Sequence, residues 1–171
     1  MDRTFSIYLR KPDIADAEEI IAAFTRSVDF HKPWTYSPDN YEKYLSQPHR
    51  YFVCHKKTHA IIGSYNISEI VRGWFQSAYL GYEAFAPHQQ QGFMTQGMTL
   101  LLEEAFSTLN LHRLEANVQT NNYASIALLL KSGFMKEGFS PKYLRIGGKE
   151  WQDHERWAIV NDNWAESNLS H

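Results

Sequence analysis

His88-Gln89-Gln90-Gln91-Gly92-Phe93-Met94-Thr95 is the stretch on which the reading of this 171-residue chain turns. It follows a β-rich run, residues 75–86, that ends at Pro87. It opens a segment in which Met94, Met98, Leu101, Leu102, Ala105 and Phe106 recur at helical spacing. Its backbone N–H groups therefore belong to the unpaired first turn of a helix, where such groups bind anions. Gly92 lets a ligand approach the backbone closely, and the glutamines add neutral donors for a diphosphate without a metal. The Gly-Lys-Ser/Thr of a nucleotide loop is missing and no acidic pair placed for Mg²⁺ follows, which disfavours a kinase or NTPase. The Gly-x-Gly-x-x-Gly of a dinucleotide fold is missing too. Taken alone, a glycine at a strand-to-helix turn is also what an ordinary helix entry looks like.

Upstream, Phe5, Ile7 and Leu9 alternate with polar neighbours over residues 4–11, a strand that stops at Pro12. Asp13 is placed to cap a helix whose stripe is Ile14, Ala17, Ile20, Ile21 and Phe24. Residues 31–38 read as an ordered loop and 39–47 as a short helix. Residues 50–55 and 60–70 suggest a hairpin, and 75–86 add a third run with Tyr79, Gly81, Glu83 and Phe85 on one face and Leu80, Tyr82 and Ala84 on the other. Downstream come a strand at 113–118, a helix at 122–132 closed by Gly133, and two strands, 135–146 and 151–160, paired across Gly147-Gly148. The tail from Asn161 is polar and is expected to fray. The order β-α-(α)-β-β-β-α-β-α-β-β predicts one mixed-sheet α/β (α+β) domain over residues 1–171.

Composition narrows the function. With 43 % hydrophobic residues one core can be well buried, and a formal charge of −2 offers no broad basic surface, so nucleic acid is not an expected partner. The one cysteine, Cys54, lies in an apolar run and allows neither an internal disulfide nor a cysteine zinc site. The eight histidines show no two-His spacing on a helix face, so no metal is expected. The polar N-terminus and the short apolar stretches predict no membrane segment and a cytoplasmic chain. Aromatic residues reach 15 %; Trp34, Tyr36, Trp74, Trp151 and Trp164 lie outside core patterns and fit either a cleft or interface, or ordinary loop packing.

The run Gln-x-x-Gly-x-Met at residues 89–94 resembles the Arg/Gln-x-x-Gly-x-Gly/Ala signature of the GCN5-related N-acetyltransferases (GNAT), with Met94 in the place of Gly or Ala. Ala78-Tyr79-Leu80-Gly81-Tyr82, His112-Arg113-Leu114-Glu115-Ala116-Asn117-Val118, and Asn122-x-x-Ser125 running to Gly133-Phe134 are similar to the RimJ/RimL-type branch, the ribosomal-protein N-terminal acetyltransferases. So is the closing segment Lys142-Tyr143-Leu144 with Trp151-x-Asp153-His154, and the resemblance covers residues 5–160. It implies a twisted sheet with splayed central strands and acetyl-CoA as co-substrate, bound by Gln89, Gln90, Gln91, Gly92, Phe93, Met94 and Thr95. The pantetheine arm would pair with free peptide groups of Ala84, Phe85 and Ala86, and Asn122 would bind it or simply cap its helix. Lys131 would either approach the CoA phosphates or stay solvated.

The implied reaction is direct attack of an amine in a ternary complex. It needs a base for the ammonium and an acid for the thiolate. Glu115, on its strand between Leu114 and Ala116, and Glu83 are the candidate bases; Glu115 is slightly favoured, and its alternative is a surface carboxylate paired with Arg113. The tyrosine that many relatives carry on the helix after Asn122 is replaced by Leu129, which leaves Ser125 or Tyr143 as acid. The acceptor pocket would lie at residues 30–41 and 143–151. The expected acceptor is a protein or peptide N-terminus, with a small amine such as a polyamine or amino-sugar as alternative. A non-catalytic acyl-CoA-binding module is the other class, and a homodimer is compatible with the resemblance.

Overall fold

Asp13 accepts the Ala15 N–H at 2.9 Å while Asp16 accepts that of Asp13 at 2.8 Å, a reciprocal capping box that launches the first helical turn directly after strand β1 (Ile7–Arg10). The computed structural model describes residues 4–166. Helix α1 (Ala17–Arg26) buries Ile20, Ala23 and Phe24; Ile14 and Ile21, read as part of the stripe, are 65 % and 43 % exposed because Ile14 lies in the tighter turn before the helix and Ile21 faces away from the sheet. Helices α2 (Val28–His31) and α3 (Tyr41–Leu45, capped by Asn40) complete this layer.

Seven strands form one sheet in the order β1-β2-β3-β4-β5-β7-β6, with β2 Arg50–His55, β3 Ile61–Val71, β4 Ser77–Ala84, β5 Arg113–Gln119, β6 Met135–Leu144 and β7 Gln152–Val160. Every pairing is antiparallel except β4 with β5. That parallel pairing is short: Ser77↔Arg113, Ala78↔Leu114 and Tyr79↔Glu115, after which the two strands part. The splay is thus visible in the register.

Side chains alternate across this sheet and meet a different layer on each side. Tyr51, Val53, Tyr65, Leu80, Leu114 and Ala116 face helices α4 (Phe93–Glu103) and α5 (Tyr123–Lys131) and join Met98, Leu101 and Leu129 in the larger core. Phe52, Cys54 and Phe85 face the other way, against Ile20, Phe24, Tyr44 and Leu45 of α1 and α3. Helix α4 lies tight on the sheet at Gly97, where a Cβ would stand 3.0 Å from Val53 and 3.2 Å from Tyr65. The stripe continues to buried Ala105 through a wider turn, Glu104–Thr108.

The tail departs from the expected fraying as far as it is described. Asn161 donates its N–H to His112 at 2.7 Å, Trp164 Nε1 donates to the Asn110 carbonyl at 2.9 Å, and Asn110 Nδ2 donates to Ala165 at 3.2 Å. The rest of that tail, residues 167–171, lies outside the described residues. No helix among the described residues is long and apolar enough to cross a membrane.

Candidate active site

Where β4 and β5 part they leave a cavity of about 670 Å³, and its lining draws on both layers. Its mouth toward α4 is the glutamine stretch. Gly92 adopts φ +78°, a left-handed conformation that glycine reaches without strain, and turns the chain into the helix. Among the described residues no side chain caps this helix, and its first backbone bond runs from Gln96 N–H to the Gly92 carbonyl at 3.2 Å, so the N–H groups of Phe93, Met94 and Thr95 are the unpaired donors of the first turn. A Cβ at Gly92 would meet nothing within 4 Å. The cradle is open, with helix-end donors lining it. Gln89 Oε1 is buried there without a hydrogen-bond partner.

Two contacts fix this turn. Fully buried Tyr65 donates its hydroxyl to the Met94 carbonyl at 2.7 Å. Met94 itself, the larger residue in the signature's Gly/Ala place, fits because Gly63 lies beneath it: a Cβ at residue 63 would come 2.4 Å from Met94 Sδ. The sheet makes room for the methionine.

The expectation of free peptide groups on residues 84–86 is corrected. The Ala84 carbonyl accepts from His31 Nε2 at 2.6 Å, Ala86 N–H donates to Ser27 Oγ at 3.0 Å, and the Ala86 carbonyl accepts from Arg26 Nε at 2.6 Å. Phe85 N–H donates to Ile62 at 2.8 Å, and its side chain is fully buried. Once β5 has left, helices α1 and α2 supply the partners that a buried strand edge requires. Of these three residues only Ala84 lines the cavity.

The two carboxylates separate clearly. Glu115 does not line the cavity: it stands at the last paired step, opposite Tyr79, and accepts from Arg113 Nε at 2.8 Å, while Arg113 also pairs with Glu137. The alternative reading of Glu115 as a paired surface carboxylate describes its surroundings. Two residues further along the same face, inside the opening, stands Asn117, whose buried Oδ1 has no partner. Glu83 does line the cavity. Its Oε1 accepts from the Tyr44 hydroxyl at 2.6 Å and from Arg50 at 3.4 Å, and Arg50 lies 3.7 Å over the Tyr44 ring. These bonds fix the Glu83 carboxylate in place, with its second oxygen unengaged by these partners.

On the α4–α5 side Ser125 lies 2.5 Å from the Tyr82 hydroxyl, hydroxyl to hydroxyl. Burial pushes the Tyr82 phenol up to about 12, against a smaller downward pull from Ser125, so it stays protonated through the physiological range. Asn122 caps α5, accepting the Ser125 N–H at 3.3 Å. Asn122 and Lys131 both line the cavity. Tyr143 lies outside the lining, 6.3 Å ring to ring from His154, which does line it. Burial also raises the Cys54 thiol, which therefore stays unreactive. Among the described residues no three His, Cys, Asp or Glu side chains gather as a metal site.

Tyr82, Asn117, His31 and His154 are cavity residues that sequence reasoning gave no role. Tyr82 and Asn117 were accessible in principle, as neighbours in register of Glu83 and Glu115. The carbonyl capture by His31 had no sequence signal.

A mixed sheet forked between parallel strands, with an uncapped glycine-led helix at the fork, defines an acyl-CoA N-acyltransferase, and the comparisons agree. The chain belongs to the family described as Acetyltransferase (GNAT) domain, which matches residues 6–135. It is 31 % identical over 172 aligned residues to "Probable N-acetyltransferase YjcK" of Bacillus subtilis, covering 91 % of this chain and 94 % of that one. It is 38 % identical over 105 residues to the [ribosomal protein uS5]-alanine N-acetyltransferase of Escherichia coli, 61 % of this chain and 54 % of that protein, so this match spans about half of the relative. In structure it resembles the ribosomal-protein-S5-alanine acetyltransferase of Vibrio fischeri, with TM-score 0.84 and 27 % identity over 96 % of this chain and 98 % of that one. The spermidine N-acetyltransferase of Vibrio cholerae, solved with CoA and spermine, shares the fold at 22 % identity and TM-score 0.76 over 93 % and 98 % of the two chains.

Proposed function

We propose that this acetyltransferase binds acetyl-CoA in the fork and transfers its acetyl group to the N-terminal amine of a protein, such as a ribosomal protein. The carrying observation is that the donors of Phe93, Met94 and Thr95 and the single carboxylate Glu83 line one cavity. The diphosphate rests on the helix end, with Gln89, Gln90 and Gln91 beside it, and the pantetheine runs past Tyr82–Ala84 and Asn122 toward Ser125. Ser125, hydrogen-bonded to Tyr82, donates to the leaving thiolate. Glu83 holds the incoming ammonium.

The acceptor class follows from charge. Among the described residues Glu83 is the one carboxylate lining the cavity, which suits a monocation such as an α-ammonium; a polyamine carries several cations and calls for several counter-charges. Phe30, Trp34 and Ile146 wall the same end and leave apolar contacts for the first side chain of a peptide. Resemblance to the uS5-alanine enzyme points the same way. The test is acetyl transfer from acetyl-CoA to a panel of N-terminal peptides, including one that begins with alanine, and to spermidine, followed by thiol release and mass spectrometry. Acetylation confined to the peptide α-amine supports the reading. Transfer to spermidine alone, or to no amine while acetyl-CoA binds, overturns it.

A further inference from the structure

We infer that His154 is the proton acceptor for the incoming amine, with Asn117 holding the nitrogen in place. This rests on the acetyl-transfer reading above. His154 belongs to β7, whose register with β5 pairs Gln119 with His154 and Asn117 with Arg156. His154 and Asn117 thus occupy the same face of neighbouring strands, beyond the point where β4 has left the sheet. Both line the fork, yet His154 is only 2 % exposed, so the cavity is its way of meeting an outside molecule.

The tautomer follows from one contact. His154 Nδ1 stands 2.8 Å from the Gln152 carbonyl oxygen. A carbonyl only accepts, so Nδ1 carries the hydrogen, and in the neutral ring the lone pair is on Nε2. Asn117 Oδ1 is an acceptor buried at the same cavity with no partner. An acceptor and a ring nitrogen with a free lone pair on one face of neighbouring strands are what an ammonium needs: one N–H is held while another is removed. Glu83 is less suited to that task. Its Oε1 already takes two donors, and its place is that of the counter-charge.

The proton balance is complete with these groups. One ammonium proton passes to Nε2 and from there to solvent, which frees the nitrogen pair to form the C–N bond. As the C–S bond breaks, Ser125 gives its proton to the CoA sulfur and takes one back from water in the cavity, while the second amine proton leaves to that water as the first did. The products are an amide, a thiol and one released proton. Tyr143 from β6 lies against the His154 ring, and the titratable groups that share its cavity are Tyr82, Glu83, His31, His88 and Lys131; on β5 its partner is the amide Gln119, with Asn117 two residues away on the same face.

The experiment compares wild type, His154→Ala and His154→Gln in the full chain, measuring acetyl-CoA affinity by calorimetry and kcat and KM by thiol release with an accepted amine. A general base contributes about 100-fold or more, so kcat should fall by that factor in both variants while KM for acetyl-CoA stays within about twofold. Added imidazole should restore rate to His154→Ala and leave wild type unchanged, which a purely structural role would not produce. If either variant turns over within about threefold of wild type, the inference is overturned. It is equally overturned if a folded His154→Ala that binds acetyl-CoA normally gains nothing from imidazole. A wild type that acetylates spermidine and no peptide sinks the N-terminal reading instead, and the His154 comparison is then made with spermidine.

Discussion

Replacing Gly92 with valine puts the cradle to its strictest test. The residue sits at φ +78°, where a side chain costs about 1–2 kcal/mol of backbone strain. Nothing lies within 4 Å of a Cβ built there, so no clash adds to that strain in the free protein. A chain of this size loses roughly 2–4 °C of melting temperature per kcal/mol, so Gly92→Val should melt about 2–8 °C lower and still fold. Acetyl-CoA binding should suffer far more. The valine stands in the open space that the diphosphate needs in order to reach the N–H groups of Phe93, Met94 and Thr95. A hydrogen bond to a charged group contributes about 1.5–3 kcal/mol, so displacement from two of the three costs about 3–6 kcal/mol, a factor of about 150 to 20,000 in affinity. Calorimetry with acetyl-CoA, paired with a thermal melt, reads both quantities. A folded variant that melts as expected and binds within about twofold of wild type would show that the diphosphate rests elsewhere.

Three further outcomes follow from the same geometry. Tyr65→Phe removes one hydrogen bond from the Met94 carbonyl, which keeps its partner in the helix, and should destabilise the fold by about 0.5–1.5 kcal/mol in a denaturant melt, with acetyl-CoA affinity falling less than in Gly92→Val. Gly147, on the turn between β6 and β7, has φ +63°, and a Cβ there would come 2.4 Å from the Tyr36 ring. Gly147→Ala should therefore push the two acceptor-side loops apart and raise the KM of the amine, while acetyl-CoA affinity holds. Asp16 accepts both guanidinium nitrogens of Arg10 at 2.8 Å, and this bond holds its carboxyl below the usual carboxylate value. A depressed folded-state value means that its stabilisation is fully present above the unfolded value of about 3.9 and is lost as pH falls through the lower folded one. Asp16→Asn should thus lower stability by about 1–2 kcal/mol at pH 7, and the gap to wild type should close in acid below about pH 4, as melts across pH will read.

The order of elements along the chain and both helix entries around the cradle were legible because each rests on local chemistry. Pro12 and Pro87 end strands, Asp13 and Asn122 cap, Gly92 and Gly133 take positive φ, and the apolar periods of β4 and α4 differ visibly. Even the family signature is short-range. The site's chemistry was less legible because it depends on where two strands separate. Glu115 and Asn117 are on one face of one strand and look equivalent in sequence; only the end of pairing at Tyr79 puts the first beside Arg113 and the second in the cavity. The peptide groups of residues 84–86 fail for a related reason. The partners of Ala84 and Ala86 come from Arg26, Ser27 and His31, more than fifty residues away, and no pattern near Ala86 announces them.

On the proposed reading, the fork also keeps acid and base apart. In a closed sheet, consecutive residues such as Tyr82 and Glu83 point into different layers and cannot meet one ligand. Here both line the cavity, because the neighbouring strand that would separate their surroundings has left. Tyr82 reaches it from the α4–α5 side, beside Ser125, and Glu83 from the α1–α3 side, beside Tyr44. Asn117 and His154 join Glu83 on its side. The reacting carbonyl would then sit in the plane of the missing strand, with the hydroxyl pair facing the sulfur from one side and the ammonium-binding groups facing the nitrogen from the other. On the proposed reading an amine would meet the thioester across the sheet, with proton removal beside the nitrogen and proton delivery beside the sulfur. Moving His154 or Ser125 by one residue along its element would place it on the wrong face, which is why register, rather than residue type alone, decides this site.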